Sequence, residues 1–366
     1  MRLDRAALGG LALAFTPGFN LANVGALAEQ VGHEYGVGLG VVGLFTTALF
    51  VSHAGSQIPM GRLCDRFGPW LVGLGGLLVV AVASTAALAW REAWFAIAMR
   101  FVAGFGTAAS FVGGSDYMRA KIGSPVAQGV FGASSMAGGG LALALLPLWP
   151  DWRAPFVSAA LVAVAGAAVI AVSPRATVRR DRRRGPLSIA DRRLLPLAAW
   201  HAGSFGLSVV LGNWVVTLLH RAGDVPEHAA GIAGGLILFL GLVSRPLGGR
   251  LIDRPGLVRV SFLVSAAGTL ALAVAMPFGL AVLGAAAVGL AAGIPFAPAF
   301  AGAARLRPDA PGAAVGFVNM AAAVTILVGT PLLGLSFSLP GDGRIGFVVI
   351  AGLCAATAFV TRPARA

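Results

Sequence analysis

The sequence predicts an all-α membrane protein of twelve transmembrane helices arranged as two six-helix halves. Three observations lead there. Only 11% of the 366 residues are charged and 57% are hydrophobic. A soluble globular domain carries about 25% charged residues, so this chain lacks the polar side chains to cover a water-facing surface. Apolar stretches near the bilayer-spanning length of about 20 residues recur twelve times. Finally, one phrase occurs twice, GRLCDRFG at 61–68 and GRLIDRPG at 249–256, 188 residues apart.

Taken in order, the spans run roughly 8–30, 40–60, 70–90, 94–116, 127–149, 153–173, 194–219, 228–248, 258–277, 279–304, 313–337 and 345–361. The first is long enough to span, and no small-residue cleavage site accompanies it, so it reads as a retained helix. Most connections are short. The exception is RATVRRDRRRGPLSIADRR, which divides the chain into an N-terminal half at 1–174, a basic linker at 175–193 and a C-terminal half at 194–366.

Orientation follows from the Lys and Arg residues of the loops. With the N-terminus inside, 21 of the 27 fall on the cytoplasmic side, four on the outside, and Arg100 and Arg245 within spans. Both termini are therefore expected in the cytoplasm, in an inner-membrane protein. The net charge of +13 is a topology signal and a basic face toward anionic lipid, which leaves nucleic acid without a case. Trp90, Trp94, Trp149 and Trp152 fall at predicted outer span ends and Trp70 at an inner end, where amphipathic rings anchor. Cys64 and Cys354 lie within or on the cytoplasmic side of the membrane, so no disulfide framework is implied.

Both copies of the repeated phrase fall in equivalent places, the inner loop after the second span of each half. Gly61 and Gly249 permit close backbone approach. Asp65 and Asp253 suit the N-terminus of a neighbouring helix, where a carboxylate is favoured. Arg66 and Arg254 suit acids or lipid phosphates. In this the chain resembles the major facilitator superfamily, whose loop signature reads roughly G-x-L-x-D-R-x-G. Gly61, Leu63, Asp65, Arg66 and Gly68 match it, as do Gly249, Leu251, Asp253, Arg254 and Gly256. RFVAGFGTAA at 100–109 is similar to the family's R-x-x-x-G-x-G-x-A pattern in span four. The resemblance implies the major facilitator fold and a conformational gate at the cytoplasmic side. In that gate Asp65 meets the inner end of span eleven, and Arg66 reaches Asp116 at the end of span four.

Charge inside the membrane is scarce. An arginine at the bilayer centre costs about 2.5–3.5 kcal/mol on insertion scales. Arg245 lies eight residues before Asp253, roughly 12 Å in from the loop by helical rise. No acidic residue occupies the middle of any span, so its missing partner is an anion or a set of backbone carbonyls near Pro246. SRPLGGRLIDR resembles span eight of the nitrate/nitrite porters and of the cyanate-transporter-like group, where an arginine at this spacing contacts the anion. The second arginine of that family, in span two, is replaced here by His53 and Gln57, and Gln57 is the repeat equivalent of Arg245. Small carboxylates therefore stand beside nitrate, nitrite and cyanate as substrates.

Asn20 in span one, and His201 and Ser204 in span seven, join His53 and Gln57 as candidate contacts, since the first helix of each three-helix repeat lines the cavity in that fold. Arg100 in span four serves substrate contact or a structural tie. The two histidines are also candidate proton carriers, because imidazole titrates near neutrality. GLGVVG at 38–43 fits G-x-G-x-x-G, yet no strand precedes it. No nucleophile or metal-spacing motif is present, so neither enzyme activity, cofactor nor metal is expected. The expected function is secondary active transport of a small anion by alternating access, with a coupling proton or counter-anion as partner. Efflux of an amphipathic drug-like compound and a transporter-like sensor are the competing readings.

Overall fold

A computed structural model of the chain describes residues 4–176, 191–274 and 277–360. Most of the predicted linker lies outside the described residues. Within them every regular element is helical. Among the described residues, nine helices are long and apolar enough to cross a membrane by length and composition. The other three predicted spans appear as Pro125–Leu145, the pair Glu227–Phe239 and Gly241–Arg250, and the shorter Arg344–Thr357.

Several boundaries differ from expectation for local physical reasons. The first span, Arg5–Ala22, stops at Asn23. There the Asn23 side chain accepts from the amide of Val24 and donates to the carbonyl of Pro155 at 2.7 Å, which draws the backbone out of the helix. The residues that follow form a separate short helix, Ala28–Tyr35. Trp152 is no interfacial anchor: it is 7% exposed, with Tyr35 5.4 Å away ring to ring. Trp90 and Trp94 do stand exposed.

The second span runs Leu39–Phe67, so the first copy of the repeated phrase is not a loop. It forms the last two turns of a helix that ends at Gly68, whose φ of 93° suits glycine. The second copy unwinds earlier, since its helix ends at Arg250. Pro255 starts the next one, and a residue before proline is pushed out of the helical region. Pro255 stands where the first copy has Phe67, and that substitution separates the two structures. The fourth span extends over Ala93–Lys121, which places Asp116 inside the helix rather than at its end.

Three spans of the second half are interrupted. The seventh carries a π-turn at Ala202–Gly206 between Leu195–His201 and Leu207–Gly223. The eighth breaks at Leu240. The tenth breaks between Phe278–Gly293 and Phe296–Leu306, at Pro295, which has no N–H to donate.

The first six spans meet the last six along two seams, second against eleventh and fifth against eighth. A Cβ at Gly61 would overlap the backbone of Gly312 and Ala313, and one at Gly249 the backbone of Pro125 and Val126. Farther along, Gly316 abuts the carbonyl of Gln57, and Gly129 that of Arg245. The two seams are the same packing written twice, at offsets of 187 or 188 residues. Both lie toward the helix ends that carry Arg62, Arg66, Arg250 and Arg254, called the basic end below.

Candidate functional site

Arg245 sits in the helix Gly241–Arg250 and is 3% exposed. Its guanidinium carbon lies 4.5 Å from the ring centre of Phe296 and 4.8 Å from that of Phe205. Nη1 donates to the carbonyl of Gly132 on the fifth span at 2.6 Å. Guanidinium carries five N–H donors, and no carboxylate pairs with this one among the described residues. A cation over aromatic faces gains on the order of 2 kcal/mol when desolvated, which offsets part of its burial cost and leaves its charge unneutralised. The interruptions of the second half bring these rings in: the π-turn carries Phe205, and the helix restarting after Pro295 begins at Phe296.

His201 shares both rings with Arg245. Its centroid lies 5.4 Å from Phe205, 5.4 Å from Phe296 and 4.8 Å from Phe300. Nε2 is 3.1 Å from Oδ1 of Asn319 on the eleventh span, while Nδ1 is buried without a partner. From Phe300 the aromatic chain continues through Phe111 to His53, at centroid distances of 6.2 and 6.4 Å. His53 Nδ1 is 2.9 Å from Oγ1 of Thr107, whose hydroxyl donates to the carbonyl of Gly104. The centre of the molecule is thus an aromatic core shared by both halves, holding one arginine and two histidines.

Other predicted contacts lie apart from Arg245 or are spent locally. Arg100, 2% exposed, donates from Nη2 to the carbonyl of Asn20 at 2.6 Å and from Nε to that of Phe45 at 3.4 Å. It ties spans one, two and four together, with Nη1 buried and idle. Asn20 donates back to Thr16 within its own helix, and Ser204 to the carbonyl of His201. Gln57 is fully buried, and neither side-chain polar atom has a partner. Sequence reasoning missed Asn319, Thr107 and the phenylalanines. An asparagine within an apolar span was a usable signal; nothing distinguished Phe205 or Phe296 among 21 phenylalanines.

At the basic end, Asp65 accepts from the amides of Gly312 and Ala313 at 3.1 and 3.3 Å. The eleventh-span helix starting at Pro311 has Ala310 at its N-cap and no side-chain cap of its own, so the second span caps it in trans. The expected Arg66–Asp116 contact is not formed. Asp116 takes a hydrogen bond of 2.7 Å from Arg119 one turn away, and Arg66 lies over the ring of Phe67. The second copy lacks the cap altogether. Asp253 and Arg254 are exposed, and the facing helix is already capped by Ser124, which accepts from Ala127. Outside the spans, the hydrogen bond from Arg193 holds the Asp191 carboxyl below its usual range. Arg307 does the same for Asp309, and it also reaches Asp191 at 3.5 Å. A cavity of about 590 Å³ opens at the opposite end of the molecule, beside Gln30, His33, Glu34 and Trp152, and contains none of the predicted contacts.

Comparison with known proteins agrees with this architecture. The sequence profile of the Major Facilitator Superfamily matches residues 10–256. The 4-hydroxybenzoate transporter PcaK of Pseudomonas putida is 24% identical over 290 residues, which cover 66% of this chain and 64% of that protein. Among solved structures, the human organic anion transporter MFSD10 superposes with a TM-score of 0.73 at 18% identity. The Escherichia coli fucose:proton symporter FucP does so with a TM-score of 0.75 at 14% identity. In both, 97% of each chain is covered.

Proposed function

The chain belongs to the major facilitator superfamily, and on that premise we propose that it is a secondary transporter moving a small organic carboxylate by alternating access. The moving bodies are the halves 1–174 and 194–366, joined by the linker 175–193, in the cytoplasmic membrane with both termini inside. Asp65 is the gate residue of this scheme, with Gly61 and Gly249 setting how closely the seams shut. Asp116, Arg66, Asp253 and Arg254 are charged surroundings of the gate rather than its contacts.

The observation that carries this reading is Arg245, a buried guanidinium in contact with two phenyl rings and with no acid to neutralise it. A carboxylate meets guanidinium as a planar, two-pronged acceptor. The flanking rings favour a substrate with an apolar or aromatic body over bare nitrate. A second arginine, which the resemblance to nitrate/nitrite porters would call for, is absent from the aromatic core. The benzoate-type compound named for the Pseudomonas relative has the matching shape and charge.

Thermal unfolding of detergent-purified protein tests this against 4-hydroxybenzoate, nitrate, cyanate, formate, fucose and cationic dyes. A ligand that binds only the folded state raises its stability by RT ln(1 + [L]/Kd). Stabilisation by 4-hydroxybenzoate is expected, lost in Arg245→Gln and partly kept in Arg245→Lys. Stabilisation by dyes alone, indifferent to Arg245, overturns the assignment. Counterflow of the stabilising compound in proteoliposomes then separates transport from sensing.

A further inference from the structure

A buried polar atom without a partner is rare in folded proteins and calls for an explanation. Gln57 has two. Its side chain is fully buried, and neither Oε1 nor Nε2 meets a hydrogen-bonding group among the described residues. A side-chain amide accepts through its oxygen and donates through its nitrogen, and here both functions lie idle. A methionine would fill the same length of an apolar interior without leaving polar atoms unpaired. Packing alone therefore gives no reason for an amide at this position.

Gln57 is the repeat equivalent of Arg245, 188 residues earlier. The Arg245 carbonyl packs on Gly129 of the fifth span, and the Gln57 carbonyl on Gly316 of the eleventh. A helical side chain leans toward the N-terminus of its own helix. Arg245 accordingly passes Gly129 and reaches the carbonyl of Gly132, three residues farther along the fifth span. In the same register Gln57 falls opposite Asn319, three residues beyond Gly316. Asn319 is bound to His201, which shares Phe205 and Phe296 with Arg245. One turn before Gln57, on the same helix face, His53 joins the other end of the aromatic chain through Phe111 and Phe300. Phe300 in turn stacks on Phe296 at 4.5 Å. The aromatic core thus has a charged pole on the fifth–eighth seam and a neutral one on the second–eleventh seam, with phenyl rings between.

We propose that Gln57 determines specificity: the substrate is a hydroxy acid, whose carboxylate meets Arg245 and whose distal hydroxyl meets the Gln57 amide. A hydroxyl both donates and accepts, so it satisfies either idle atom. A hydrocarbon end leaves the amide unpaired, and a second carboxylate accepts only, facing Oε1 with no cation to neutralise it. This rests on the anion reading of Arg245 and adds the other end of the substrate to it.

Calorimetric titration of detergent-purified protein with 4-hydroxybenzoate, 4-methylbenzoate and benzoate separates the two poles. 4-Methylbenzoate has the shape of the hydroxy acid and no hydrogen bond to offer at that end. The wild type should bind 4-hydroxybenzoate roughly ten- to a hundredfold more tightly than either analogue, because each analogue buries the amide without a partner. Arg245→Gln should lose all three. Gln57→Met should bind the three with closely similar affinities. The thermal midpoint of that variant without ligand should hold or rise, since no contact within the protein is lost. Equal binding of the three acids by the wild type, or a preference for the hydroxyl that survives in Gln57→Met, overturns the proposal and leaves the anion reading standing. So does a Gln57→Met protein that fails to fold or melts several degrees lower, which would show that the amide serves the fold. Absence of binding of all three by the wild type defeats both.

Discussion

Arg100 and Arg245 look alike in sequence, each a lone cation inside an apolar span, yet the fold uses them differently. Arg100 holds carbonyls of two neighbouring helices, whereas Arg245 spends one donor on a carbonyl and keeps its charge available between rings. Replacing Arg100 with Gln leaves the buried carbonyls of Asn20 and Phe45 short of a donor, at about 1–3 kcal/mol for each group left unsatisfied. The expected outcome is a fall of several degrees in the thermal midpoint, with an anion affinity that changes far less than in Arg245→Gln. The reverse pattern, intact stability and lost affinity, would make Arg100 a substrate contact. Both arginines were legible as anomalies because charge in an apolar span is costly wherever it occurs. Their separate roles were not, since these depend on which carbonyls and rings the other spans bring near, and a phenylalanine in an apolar stretch carries no mark of its neighbours.

Among elements, the most informative comparison is between the two helices that face the repeated phrases. The fifth-span helix caps itself through Ser124, while the eleventh-span helix, with Ala310 at the same position, borrows Asp65 from across the seam. Losing an N-cap costs about 0.5–2 kcal/mol. Asp65→Ala should lower thermal stability by an amount in that range, and Asp253→Ala by almost nothing. Adding Ala310→Ser to Asp65→Ala should restore the helix end and recover much of the stability without restoring the tie between halves, which differential scanning of the single and double variants can check. The repeat and its equivalent positions were readable from the phrase alone. That one copy remains helical and the other unwinds turns on a single residue, Pro255 against Phe67, and the difference in capping turns on Ser124 against Ala310. The helix breaks at Leu240 and in the π-turn left no comparable trace, because each is set by packing against other spans.

For the whole molecule, the native cysteines offer a readout of which end is open. Cys64 is 1% exposed and lies in the second–eleventh seam, with its Cβ 3.2 Å from where a Cβ on Gly312 would stand. Cys354 is equally buried, but in the packed core of the second half. A membrane-impermeant maleimide should react with Cys64 slowly in the wild type and several-fold faster in Asp65→Ala, with Cys354 unchanged in both. Equal rates at Cys64 in the two proteins would overturn the proposed gate role of Asp65. Span number and the division in two were legible from composition and repetition, which are global properties. The aromatic centre was not, because six spans build it and no one of them announces it.

The difference in capping gives the two seams different mechanical characters. The second–eleventh seam closes through a carboxylate on two amides, a single contact whose release leaves the eleventh-span helix without its cap. Among the described residues the fifth–eighth seam shows no such carboxylate contact at that end, and its close packing continues from Gly249 on Pro125 to Gly140 on Phe239. A body fastened along one edge and clasped at the other does not rock evenly about its pseudo-symmetry axis. On the transport scheme proposed above, the expected motion is that of a door, with the fifth and eighth spans as the hinge and Arg245 seated beside it while the opposite edge moves.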